Sequence, residues 1–154
     1  MAGVDDRRRH LRTVLLTGLM IIALGLLLTR CPSNRDGMPG RLAQAMEETV
    51  AAARSGAYAL DLRIRDRTSR QLANVQVSDA RDEVLKAYRG IADLEAEDAA
   101  DIGRQRLLTA SMTDIIGRLN TASARVREIT AEPPLPRLRD DLLAAADALE
   151  TGYR

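Results

Sequence analysis

Residues 108–129 read LTASMTDIIGRLNTASARVREI, and the spacing of their apolar side chains decides the fold. Leu108, Met112, Ile115, Leu119, Ala122, Val126 and Ile129 follow one another at intervals of 4-3-4-3-4-3. On a helix of 3.6 residues per turn, that interval sets all seven on one stripe, which is stable in water only when another helix covers it. The same frame extended backward meets Gln105, Asp101 and Asp98, then Leu94, Ile91, Ala87, Val84 and Ala80. Two apolar stretches in one register thus flank a polar gap. One reading is a single helix from Asp79 to Thr130, roughly 75–80 Å long, with Asp79 as its N-cap. The other is a bend or turn near residues 100–103. The stripe is expected to receive a second copy of this chain or another helical protein. Asp in place of Ile115 and Leu119 would bury charge there and is expected to disperse the assembly.

The flanks extend the helical reading. AEPPLP, residues 131–136, ends the long helix, because proline lacks the amide donor and clashes with the preceding turn. Beyond it Leu138, Leu142, Ala145 and Leu149 recur at 4-3-4, a short amphipathic helix with Pro136 near its first turn and Gly152 at its end. Upstream, Leu42, Met46, Thr49, Ala53 and Gly56 recur at 4-3-4-3, a seam of small residues. Between these lies an ambiguous stretch. In YALDLRIR, residues 58–65, Tyr58, Leu60, Leu62 and Ile64 alternate with polar or small residues, and LANVQV, residues 72–77, alternates too. That pattern allows a short β-hairpin over 58–77. An isolated two-stranded hairpin is marginal in water, and the connection DRTSRQ holds neither Gly nor Pro, so helix is the preferred reading. The fold class is therefore mainly α.

Composition narrows the core. The chain has 154 residues, no Phe or Trp, three tyrosines and a formal net charge of +1. With so little aromatic area to bury, helices meeting along narrow Ala/Leu/Ile/Val seams are favoured over a thick core. A near-neutral chain has no overall field for nucleic acid, and stacking aromatics are missing. Basic charge is almost all arginine, with Lys86 the only lysine.

The N-terminal region differs in character. Val14 to Leu28 is an uncharged apolar run, VLLTGLMIIALGLLL. With its neighbours it approaches the length of about 19–20 residues that crosses a bilayer, flanked by Arg12 and Arg30. A cleaved signal peptide would want small residues before the cut, and a lipoprotein a small residue just before its cysteine; here Arg30 precedes Cys31. A retained single-pass anchor over 13–30 is the preferred reading of the three. The tight cluster Arg7, Arg8, Arg9 and Arg12 places the N-terminal tail, 1–12, in the cytoplasm, and the bulk of the chain outside the inner membrane. Residues 31–40, rich in Pro and Gly, read as a linker. A helical or coiled-coil region, 41–131, and a Pro break with a C-terminal helix, 132–154, complete the organisation. The single Cys31 cannot pair internally, so an intermolecular disulfide between two copies is the alternative to a free thiol.

Catalytic and cofactor chemistry is not suggested. The one histidine, His10, lies in the N-terminal tail, so the serines further along have no histidine partner. No Cys/His cluster has metal spacing and no glycine-rich phosphate loop is present. Two charge clusters remain. Arg63, Arg65, Arg67 and Arg70 suit anionic headgroups or a polyanion, and residues 93–101 carry five acids suited to a basic partner. Solvated or mutually paired surface is the simpler reading of both. The expected function is that of a membrane-anchored helical adaptor or structural subunit that acts by protein–protein association, without enzyme activity, cofactor, metal, nucleic acid or small-molecule substrate. The alternative is a lysis protein. The layout of anchor, coiled coil, proline break and C-terminal segment resembles the inner-membrane spanin subunits of tailed phages. That resemblance implies a coil reaching across the envelope to an outer-membrane lipoprotein. A sensor ectodomain is a third class, disfavoured because no second apolar span follows.

Overall fold

Proline, serine and aspartate place the helix starts. The computed structural model describes residues 37–153, in four helices: α1 (Met38–Ile64), α2 (Arg70–Ala92), α3 (Ala99–Val126) and α4 (Leu135–Tyr153). Pro39 lies in the first turn of α1, where its missing N–H costs no hydrogen bond. Ser69 caps α2, its Oγ accepting from the Leu72 N–H at 3.2 Å. Asp98 caps α3, its Oδ1 accepting from the Ala100 N–H at 2.7 Å, with Asp101 in the first turn where the helix dipole favours a carboxylate.

Two helices stop by the same device. The Asp66 N–H donates to the Arg63 carbonyl and the Arg67 N–H to the Leu62 carbonyl. The Glu128 N–H donates to Arg125 and the Ile129 N–H to Ala124 in the same way. This is the Schellman pattern, which needs a left-handed residue just past the helix. Glycine usually fills that place, but here it is Asp66 at φ 52° and Glu128 at φ 62°.

Connections of five, six and eight residues join the helices, short enough that each turns back on its predecessor. The cross-links agree: late α1 meets early α4 through Asp61 and Arg139, and mid-α1 meets late α4 through Arg54 and Glu150. The result is an up-down-up-down four-helix bundle. Its sides are α1–α2, α2–α3, α3–α4 and α4–α1; α1 and α3 also meet across the diagonal, whereas α2 and α4 do not touch. Gly56 makes the diagonal approach possible. A Cβ at that position would lie 2.6 Å from Leu119 Cδ2, 3.5 Å from Ala80 Cβ and 3.9 Å from Leu142 Cδ1, so one layer of the core takes one residue from each helix.

The stripe that opened the sequence reading lies in this core. Leu108, Met112, Ile115, Leu119 and Ala122 are completely buried and Val126 nearly so, against α1, α2 and α4 of the same chain. Each such leucine or isoleucine contributes roughly 1.5–3 kcal/mol by burial. An Ala-rich face of α1, including Ala45, Ala53 and Ala57, supplies the narrow seam that the composition implied.

Several expectations are corrected. The helix from Asp79 to Thr130 is not continuous: it breaks at 93–98, and Asp79 is an exposed residue inside α2. The polar gap is that turn. Asp98 caps α3, and the Gln105 side-chain amide donates to the carbonyls of Ile91 at 2.7 Å and Leu94 at 2.8 Å, fastening the end of α2 to the start of α3. The 58–77 stretch, in contrast, follows the preferred helical reading: it is the end of α1, a turn and the start of α2, with no strand among the described residues. The linker ends at Gly37, because 38–40 already belong to α1, and α4 continues through Gly152. The tail 1–12 expected in the cytoplasm, the expected anchor at 13–30 and Cys31 lie outside the described residues. No helix among the described residues is long and apolar enough to cross a membrane.

Candidate docking face between α1 and α4

A bundle that closes its own core can meet a partner only through its outer faces, so large apolar groups left outside are informative. Among the described residues five are exposed: Tyr58, Leu72, Val75, Ile129 and Leu143. Tyr58, 62% exposed, and Leu143, 38% exposed, line the same groove of about 440 Å³ between α1 and α4. A second groove of about 390 Å³, lined by Met46, Glu47 and Val50, lies next to it along α1, with Arg54 lining both.

Helical spacing assembles this face. Met46, Val50, Arg54, Tyr58 and Asp61 follow at four- or three-residue steps along α1; Arg139, Leu143, Asp147 and Glu150 do so along α4. Two ion-pair clusters hold the helices together across it. Arg54 Nη2 donates to Asp147 Oδ1 and to Glu150 Oε2, both at 2.8 Å. Arg139 Nη1 donates to Asp61 Oδ1 at 3.2 Å, while its Nε reaches Asp140 Oδ1 at 2.8 Å. Asp61, only 17% exposed in its side chain, also forms an ion pair with Arg65, Nε to Oδ2 at 3.0 Å. The hydrogen bond to Asp147, then that to Glu150, raises the Arg54 guanidinium above its already high ordinary pKa. The hydrogen bond to Asp140 does the same for Arg139, with a smaller contribution from Asp61. Both remain cationic across any physiological pH.

The arginines singled out in the sequence lie at the α1–α2 turn. Arg63 pairs with Asp66 at 2.7 Å, Arg65 with Asp61 at 3.0 Å and Arg70 with Glu128 at 3.0 Å. Arg67 makes no ion pair among the described residues. Three of the four thus spend their charge within the bundle. Ile129, the last residue of the apolar stripe, falls past the end of α3 and is 65% exposed. The acidic 93–101 stretch supplies the α2–α3 turn and the α3 cap. Among the described residues no group of three His, Cys, Asp or Glu side chains could hold a metal ion.

Sequence reading missed the face itself. On the preferred helical reading, Tyr58 is a large ring off the Leu42–Thr49–Gly56 stripe, the signal that places it on an outer face. Comparison with protein-family models, curated proteins and solved structures gives no match. The functional argument therefore rests on the geometry of this face.

Proposed function

We propose that this chain is an adaptor tethered to the inner membrane by residues 13–30, whose extracytoplasmic bundle recruits another protein through the α1–α4 face. The observation that carries the reading is the pair Tyr58 and Leu143. Both are exposed at one groove whose edges are pinned by ion pairs, the apolar-centre and polar-rim arrangement of protein interfaces. Pre-formed ion pairs lower the ordering cost of binding, because the arginines already sit in fixed rotamers. The tether has its own support: the uncharged run Val14 to Leu28, flanked by Arg12 and Arg30, ends ten residues before Met38, the start of α1. The envelope-spanning lysis reading has less support. It rests on a coil that reaches across the envelope, and α3, the longest helix among the described residues at 28 residues, spans about 42 Å.

The test is site-specific crosslinking in intact cells. A photoreactive phenylalanine analogue at position 58 of the full chain is expected to give one discrete adduct in the inner-membrane fraction. Leu143→Glu should remove it, and the same analogue at Lys86, exposed on α2, should not produce it. Identical adducts from both positions, or none from position 58, would overturn the proposal.

A further inference from the structure

We infer that the segment received by the α1–α4 face is a cationic amphipathic helix, laid along the groove with its apolar stripe against Tyr58 and Leu143. This inference rests on the docking reading above and adds the chemistry of the partner.

Shape, floor and charge each support it. The two grooves share Arg54 and run along α1 from Met46 to Asp61, about 23 Å, or four turns of an incoming helix. Their apolar residues, Met46, Val50, Tyr58 and Leu143, suit the helix-in-groove mode, in which side chains at i, i+3, i+4 and i+7 act as anchors. The rim is acidic. Asp61, Asp140, Asp147 and Glu150 bring four carboxylates, against the three guanidinium groups of Arg54, Arg65 and Arg139. Arg54 and Arg139 already donate to rim carboxylates, so an acidic ligand would have to displace Asp147 and Glu150 from Arg54, or Asp61 and Asp140 from Arg139. A cationic ligand displaces nothing. It meets the remaining oxygen lone pairs of Asp140 and Asp147, whose side chains are 61% and 67% exposed. A second copy of the same face would set this acidic rim against itself.

The experiment uses the full chain in phosphatidylcholine nanodiscs, with empty nanodiscs as the blank. The probe is a fluorescein-labelled Leu/Lys amphipathic peptide of about 18 residues, long enough to fill the groove. Its counterpart carries Glu at every Lys. Anisotropy titration should show the Lys peptide binding about tenfold or more tighter than the Glu peptide, and weakening about tenfold from low to high salt. Leu143→Glu and Asp140→Lys should each reduce binding of the Lys peptide, and Leu72→Glu on α2 should not, with all three variants retaining helical circular dichroism. Equal binding of the two peptides, indifference to Leu143→Glu, or no binding of the Lys peptide would overturn the inference. Position 58 separates the two levels. A crosslinked partner without Lys-peptide binding leaves the docking face standing and removes the cationic helix, whereas loss of both removes both.

Discussion

Replacing Gly56 by alanine tests the diagonal α1–α3 contact on which the core layer depends. In an ordinary helix interior, Gly→Ala stabilises by about 0.5–1 kcal/mol, because glycine loses more backbone freedom on folding. At Gly56 the new methyl would lie 2.6 Å from Leu119 Cδ2. Leu119 is completely buried, so its Cδ2 must give way inside a packed core, whereas Ala80 and Leu142 would meet the methyl at ordinary van der Waals contact. Overpacking of this kind costs about 1–3 kcal/mol. The net expectation is a loss of about 0–2 kcal/mol for Gly56→Ala. Gly117 provides the internal control: it lies in the middle of α3 with nothing within 4 Å of a built Cβ, so Gly117→Ala should gain about 0.5–1 kcal/mol. The two substitutions are chemically identical and should differ by about 1–3 kcal/mol, read as urea midpoints of the 36–154 unit by circular dichroism. A coupling check adds Leu119→Ala, which alone should cost about 2–5 kcal/mol and should cost measurably less beside Ala at position 56. Equal stabilisation by Gly56→Ala and Gly117→Ala would refute the close packing of α1 on α3.

The remaining expectations concern helix ends and the stripe. Glu128→Gly should stabilise by about 0.5 kcal/mol, because relief of the left-handed strain exceeds loss of the exposed pair with Arg70; Glu128→Val should destabilise, and thermal midpoints would show the opposite signs. Ser69→Ala removes the α2 cap and should cost about 1 kcal/mol by urea unfolding; no change would mean the Ser69–Leu72 hydrogen bond is not made in solution. Ile115→Asp should collapse the helical circular dichroism of the 36–154 unit, because the stripe is internal; a variant that stays helical but loses mass by light scattering would instead make the stripe an intermolecular seam.

The helical stripes were legible in sequence because burial imposes a strict period, and the α3 stripe from Leu108 to Val126 is buried at every position. What covers it was not legible. A 4-3-4-3 seam is the same whether the facing helix belongs to this chain or to another, and the turn that decides the matter is only six residues long. That turn left a sequence trace in Asp98, Asp101 and Gln105, but polar residues in a seam also occur inside continuous coiled coils, where they set register. The α1–α2 turn was hidden for a different reason. Asp66 and Glu128 occupy left-handed positions that sequence reasoning reserves for glycine or asparagine, so neither Schellman stop announced itself.

The docking face follows from the same scarcity that shaped the core. With no Phe or Trp and three tyrosines, the chain has little aromatic area, and the bundle closes on alanine, leucine, isoleucine and valine. Tyr88 and Tyr153 pack partly against that core, but Tyr58 stands 62% exposed. Placed one helical position away, at Ala57 or Ala59, a tyrosine would have met a completely packed interior. At position 58 it reaches a groove with Leu143 beside it and Arg54 and Arg139 clamped on either side. The core draws little from that ring, and the ion pairs already hold α1 to α4 without it. Tyr58→Ala should therefore leave the urea midpoint of the bundle nearly unchanged while removing partner capture at the face. A large loss of stability would instead make the ring part of the fold and take away the argument for docking.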